Sequence, residues 1–399
     1  MLEFQKVKII RGGGSCALSL KSAFISLFAV NALTASVALC AQTATDAETS
    51  DYRAPYKLGL PIIAPSGTPG AFDQLAVDHP RLFVHDGRFY LSYLGYDGIS
   101  YQTALAVSDD LLHWERVGMV FTRNQSTNNW DRLGRVVSSY LTPCNFRKNP
   151  ELMQYKGRYW LFYHAYPGKG YEVGPPANGL AWADSPVSLE WHCLDKPVFT
   201  ANPKEGHWDS GGVYSIYAVP FQGVFRLYYN GKEKPARGRL WHEQMGIADP
   251  TDDSLAHWQR RPGGPVIPAG DFPWNANFTS GAPLYDSRCG RWMRYFMGYS
   301  ESIRRAYTGV GVSEDAITWR HSPIPVLAPG EKGEIDSRHA HKTAHAWLNG
   351  DLYIIYCSVR PLKDATERAR FSGKSWNEYR CLTIARNRPW TEAERASLK

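Results

Sequence analysis

The chain has 399 residues, 43% of them hydrophobic and 13% aromatic, enough for one large folded domain and too apolar for a disordered or low-complexity chain. Its formal net charge of +7 is spread along the length, part of it in the first residues, so no basic stripe marks a nucleic-acid surface. None of the seven cysteines falls in a Cys/His spacing that resembles a zinc site.

At the N-terminus, Lys6, Lys8, Arg11 and Lys21 precede an apolar stretch from Ala23 to Ala41, and polar residues follow. This reads as a secretory signal, 1–41, removed near Ala41, with an uncleaved anchor or lipidation at Cys40 as the rival. Residues 42–55 read as a linker. Export to the periplasm or the outside places Cys144, Cys193, Cys289, Cys357 and Cys381 in an oxidising compartment. Cys357 and Cys381 are expected on neighbouring strands, either bridged or as two buried thiols.

From 56 to 390 one pattern is written five times, followed by a tail, 391–399. An apolar strand (Pro61-Ile62-Ile63, Met119-Val120-Phe121, Pro197-Val198-Phe199, Pro265-Val266-Ile267, Pro325-Val326-Leu327) leads to an aromatic-Asp pair. The pairs are Phe72-Asp73, Trp130-Asp131, Trp208-Asp209, Trp274-Asn275 and, with an aliphatic first member, Ile335-Asp336. Each is followed by a glycine-turned strand of alternating aromatic and aliphatic residues, such as Gly87 to Tyr93, and then by a Ser/Asp-rich turn closing on Trp114, Trp191, Trp258, Trp319 or Trp390. Period-2 alternation after a turn glycine means strand. A repeat of about 60 to 80 residues implies an all-β, five-bladed β-propeller. The strand near Tyr56 to Ile63 is expected to complete the last blade and so close the ring.

Anchored on the hairpin glycine, the inner positions are Asp78-His79, Lys148-Asn149, Tyr214-Ser215, Gly281-Ala282 and His341-Lys342. The Asp78-His79-Pro80-Arg81-Leu82 run, the Asp86 to Tyr93 hairpin, the repeated Trp turns and His339-Ala340-His341 resemble the five-bladed glycoside hydrolase superfamily that includes families 32, 43, 62, 68, 117 and 130. The resemblance covers Tyr56 to Trp390 and resolves no single family.

It implies a hydrolase acting on the terminal sugar of an oligo- or polysaccharide, by two carboxylates and with inversion. A non-catalytic sugar-binding propeller and a family 130-like phosphorylase with a cradle of Arg304, Arg305, Arg338 and Lys342 are the alternatives. Family 43 places its general base near Asp78, but Asn149 and Ser215 break the rest of that triad. The expected catalytic residues are therefore Asp73 and Asp209 on a common rim, with Asp78 deeper; each rim Asp could instead cap its own loop. Substrate contacts are expected from Trp130, Asp131, Trp208, Glu243, Glu301 and Asp336. Glu151 and Glu172 complete the stock of carboxylates, and Trp241 and Trp274 are further candidates for sugar stacking. His341 matches the position that meets calcium in family 43 and serves as general acid in family 117; a neutral core histidine is the alternative. A structural calcium is the one metal expected, with no required cofactor, no protein partner, and a monomer or weak oligomer.

Overall fold

The computed structural model describes residues 43–123, 128–234, 241–373 and 376–398; the leader lies outside them. No helix among the described residues is long and apolar enough to cross a membrane.

Among the described residues the strands fall into five consecutive antiparallel groups, preceded by β1 (Tyr56–Lys57). The first group holds β2 (Ala76–His85), β3 (Arg88–Tyr96), β4 (Tyr101–Ser108) and β5 (Glu115–Phe121). The second holds β6 (Val136–Tyr140), β7 (Gln154–Tyr155), β8 (Arg158–Ala165), β9 (Ala177–Ala183) and β10 (His192–Cys193). β11 (Gly212–Phe221), β12 (Val224–Lys232), β13 (Glu243–Pro250) and β14 (Trp258–Arg260) form the third. The fourth comprises β15 (Phe278–Ser280), β16 (Leu284–Asp286), β17 (Arg291–Ser300), β18 (Arg305–Ser313) and β19 (Arg320–His321). The last has β20 (His339–Leu348), β21 (Asp351–Pro361) and β22 (Glu378–Arg386). Its fourth member is β1: Tyr56 pairs with Arg386, and Ile63 with Leu382.

Four hairpins turn on two successive left-handed residues, Asp86-Gly87, Lys156-Gly157, Gln222-Gly223 and Asn349-Gly350. Their twist matches that of the flanking strands. The Trp turns are held by the indole N–H, which donates to the carbonyl three residues back in Trp114, Trp191, Trp258 and Trp319.

The aromatic-Asp pairs are part of this architecture. Trp130 stacks on Tyr163, Trp208 on Tyr229 and Trp274 on Phe296, with centroids 5.7, 5.6 and 5.5 Å apart. The Tyr163 hydroxyl donates to Asp131 and that of Tyr356 to Asp336, both at 2.9 Å, and Tyr229 stands beside Asp209 and Tyr93 beside Asp73. Where the acid becomes Asn275, the phenol becomes Phe296, which has no hydroxyl to satisfy.

Two sequence readings change and a third is decided between its alternatives. The second inner strand is β6, not Lys148-Asn149, because residues 141–153 intervene before the hairpin; Asn149 instead exchanges two hydrogen bonds with the Trp347 backbone. The expected linker is packed: Tyr52 is 1% exposed and donates to Asp286, while Glu48 meets Arg320. Cys357 pairs in register with Leu382 and Cys381 with Ser358, so the two thiols point to opposite faces and are free.

Candidate active site

The first strands of four groups converge, β2 packing on β20 and β6, and β6 on β11, while the fourth group meets them through β17, which packs on β20. Register breaks in four of them, between Asp78 and Arg81, Val137 and Ser139, Val213 and Ile216, and His341 and Thr343. Such bulges re-aim side chains. His79 and Lys342 sit at the breaks with positive φ, and Lys342 Nζ donates to Asp78 at 2.8 Å.

Above this floor lies a cavity of about 260 Å³. Its walls carry Trp241, Glu243, Tyr299, Glu301, His339 and the loop residues Tyr171 and Glu172. Lys232 closes β12 directly opposite Glu243, which opens β13. Its ammonium lies 3.0 Å from Glu243 Oε1 and 3.4 Å from Glu172 Oε2, donates to the Tyr166 hydroxyl at 3.2 Å and faces the Trp241 ring at 4.9 Å. Two carboxylates from different groups thus share one buried cation.

Their protonation preferences diverge. Burial pushes the Glu243 carboxyl above its ordinary 4.5, and the charge of Glu172 adds to that against the pull of Lys232. Burial works the same way on Glu172, but Lys232, Lys342 and Arg380 outweigh it and hold that carboxyl below 4.5. Divergent neighbouring carboxyls are the arrangement needed for one acid and one ionised partner. Asp78 is different. Burial opposes its charge, yet Lys342 and Arg380 hold it well below 3.8, so it stays ionised.

Of the expected site residues, Glu243, Glu301 and His341 line this cavity, and Asp78 lies in its floor. Asp73, Asp209, Asp131, Trp130 and Trp208 do not line it; the Asp73 carboxylate is buried beside Tyr93, with Oδ1 unpaired among the described residues. Asp209 is wholly buried between Arg260, at 2.7 Å, and His207, at 2.5 Å; Asp131 bonds Tyr163 and Arg135. Asp336 pairs with Lys57 at 2.7 Å in a separate pocket of the last group. Asp209, Asp131 and Asp336 thus occupy three separate anchoring sites in place of one common rim. Asp209→Asn should cost about 1 to 3 kcal/mol of stability, read as a lower Tm, with specific activity retained.

His341 lies close to Asp78 and Cys357, with ligand atoms within 4.8 Å of one another. This set does not fit calcium, which takes six to eight oxygens. It offers one carboxylate, already bonded by Lys342 and Arg380, beside an imidazole and a thiol. Burial and the Lys342 charge keep His341 neutral, and its Nδ1 contacts Met297 Sδ at 3.1 Å.

Neither a protein-family model nor a curated protein matches the chain. Solved structures do. A structure described as a complex of BT0996 with RGII is 23% identical, with a TM-score of 0.69, covering 86% of this protein and 96% of that one. A second, described as a glycoside hydrolase, is also 23% identical at TM-score 0.69, covering 87% and 97%. Zg3597, a family 117 glycoside hydrolase of Zobellia galactanivorans, is 14% identical at TM-score 0.54, covering 79% and 86%. A thermostable family 43 glycoside hydrolase is 16% identical at TM-score 0.52, covering 83% and 94%. The chain shares the fold of these glycoside hydrolases.

Proposed function

We propose that the chain is an exported glycosidase, a five-bladed β-propeller over 56–390 closed by β1, that removes a terminal sugar with retention of configuration. The observation that carries this reading is the pair Glu172 and Glu243 across Lys232. The floor of their cavity, Lys342, Tyr214 and Met297, also borders a second cavity beyond it. A cavity closed beneath by side chains suits an end sugar, and that is the substrate we assign to it.

Glu243 is the acid. Its proton passes to the glycosidic oxygen as the C–O bond breaks, while Glu172 bonds the anomeric carbon; Glu243 then takes a proton from the water that releases the sugar. Two oxygens 3.0 and 3.4 Å from one nitrogen admit the about 5 to 5.5 Å separation of a retaining pair. We therefore read the pair as retaining, where the sequence carried an expectation of inversion. Trp241 offers a face for the sugar's C–H groups. The BT0996 complex with RGII supports a carbohydrate of the RGII kind as the source of the substrate. A phosphorylase is less well supported, since Lys342 and Arg338 are occupied by Asp78 and Glu378.

Screening 4-nitrophenyl glycosides and RGII-derived oligosaccharides, with and without phosphate, tests the reaction, and product anomers read by proton NMR test retention. The pH profile should be bell-shaped. Its acid limb falls below 4.5, where Glu172 gains a proton, and its alkaline limb lies above 4.5, where Glu243 loses one. A profile without an alkaline limb would contradict the assignment of Glu243.

A further inference from the structure

Asp78 stands where the family 43 resemblance places a general base, yet its carboxylate has no free approach. Oδ2 accepts from Arg380 at 2.6 Å, Lys342 at 2.8 Å and the Tyr171 hydroxyl at 3.1 Å, and Oδ1 accepts from the His79 amide at 2.6 Å. Those bonds saturate Oδ2, and the side chain is fully buried. Arg380 also donates to the Tyr171 hydroxyl at 2.8 Å, so that one oxygen is bonded from both sides. The Tyr171 ring packs against Tyr96, Tyr101 and Trp376.

The next residue is Glu172, at φ 54. A left-handed backbone is unfavourable for glutamate and persists only where its surroundings impose it. The loop around it turns on Gly170 and Gly174, both at positive φ. The base of the loop is tied by its backbone, the Gly168 N–H donating to the Val173 carbonyl at 3.0 Å and the Gly170 N–H to the Ile99 carbonyl at 2.8 Å, and the side-chain tether next to Glu172 is Tyr171.

We infer that Asp78, Arg380 and Tyr171 form a clamp that positions Glu172 in the cavity, Asp78 serving as the anchor of the loop. Its catalytic consequence rests on the reading of Glu172 as nucleophile; the clamp itself does not. The charged groups facing Glu172 are Lys232, Lys342 and Arg380, with Asp78 and Glu243 opposing them.

Tyr171→Phe keeps the ring and deletes the hydroxyl. In protein carrying 13C at the glutamate side-chain carboxyls, assigned with Glu172→Gln, the Glu172 signal should titrate below 4.5 in the wild type. In Tyr171→Phe it should move upward as the loop leaves the cations, with Tm nearly unchanged. Turnover of the aryl glycoside cleaved best should fall about 10²-fold, with KM changed less. An unmoved Glu172 titration overturns the clamp. A shifted titration together with full activity of Glu172→Gln leaves the clamp standing and removes Glu172 as nucleophile.

Discussion

Glu243→Gln should slow hydrolysis of oligosaccharides by about 10² to 10⁴-fold while sparing the first step on 4-nitrophenyl glycosides. A sugar leaving group needs the proton that Glu243 holds; a nitrophenolate leaves without it. Release of the sugar from Glu172 then becomes slow, because no base deprotonates water, and added azide should restore turnover by attacking without a base. Glu172→Gln behaves differently: it removes the group that bonds the anomeric carbon, so both kinds of substrate are lost and azide does not restore the normal product. Burst kinetics on an aryl glycoside distinguish the two variants.

Asp78→Asn should be the most destabilising single change in the centre, at about 3 to 5 kcal/mol. The side chain keeps its size, but Lys342 and Arg380 are left buried with their shared counter-charge gone. The pH dependence has a definite sign. Because the folded pKa of Asp78 is depressed, its stabilisation is present above the ordinary carboxylate value and is lost as pH falls through the folded one. Urea unfolding of the wild type should show that acid loss, and Asp78→Asn should lack its share of it. Equal stability of variant and wild type at neutral pH would mean that the two cations find other partners.

Much of the fold was legible because each repeat spells out its own strand, turn and stack. The aromatic-Asp pair reads as a rim of carboxylates, yet its structural role is also present in the sequence. Tyr93, Tyr229 and Phe296 are each followed two residues later by Gly95, Gly231 or Gly298, where a Cβ would sit 2.4 to 2.5 Å from Phe72, Trp208 or Trp274. That spacing, and the joint change to Asn275 and Phe296, couples pair and hairpin as packing partners. Counting back from a hairpin glycine failed in the second group because residues 141–153 lengthen that one repeat. Glu172 was harder to select. It lies on a loop outside the repeat, and its only local signal is the glycine density of Gly168-Lys169-Gly170-Tyr171-Glu172-Val173-Gly174. Lys232 gave no signal as a cation between two acids, since its neighbours come from the second and third groups.

The most direct measurement is turnover of one 4-nitrophenyl glycoside by four proteins at matched folding: wild type, Glu172→Gln, Glu243→Gln and Asp209→Asn. The account predicts that Asp209→Asn retains the wild-type kcat, that Glu172→Gln has no turnover, and that Glu243→Gln stalls after a burst. Loss of activity in Asp209→Asn, with both glutamate variants turning over at the wild-type rate, would return the chemistry to the aromatic-Asp pairs and contradict it.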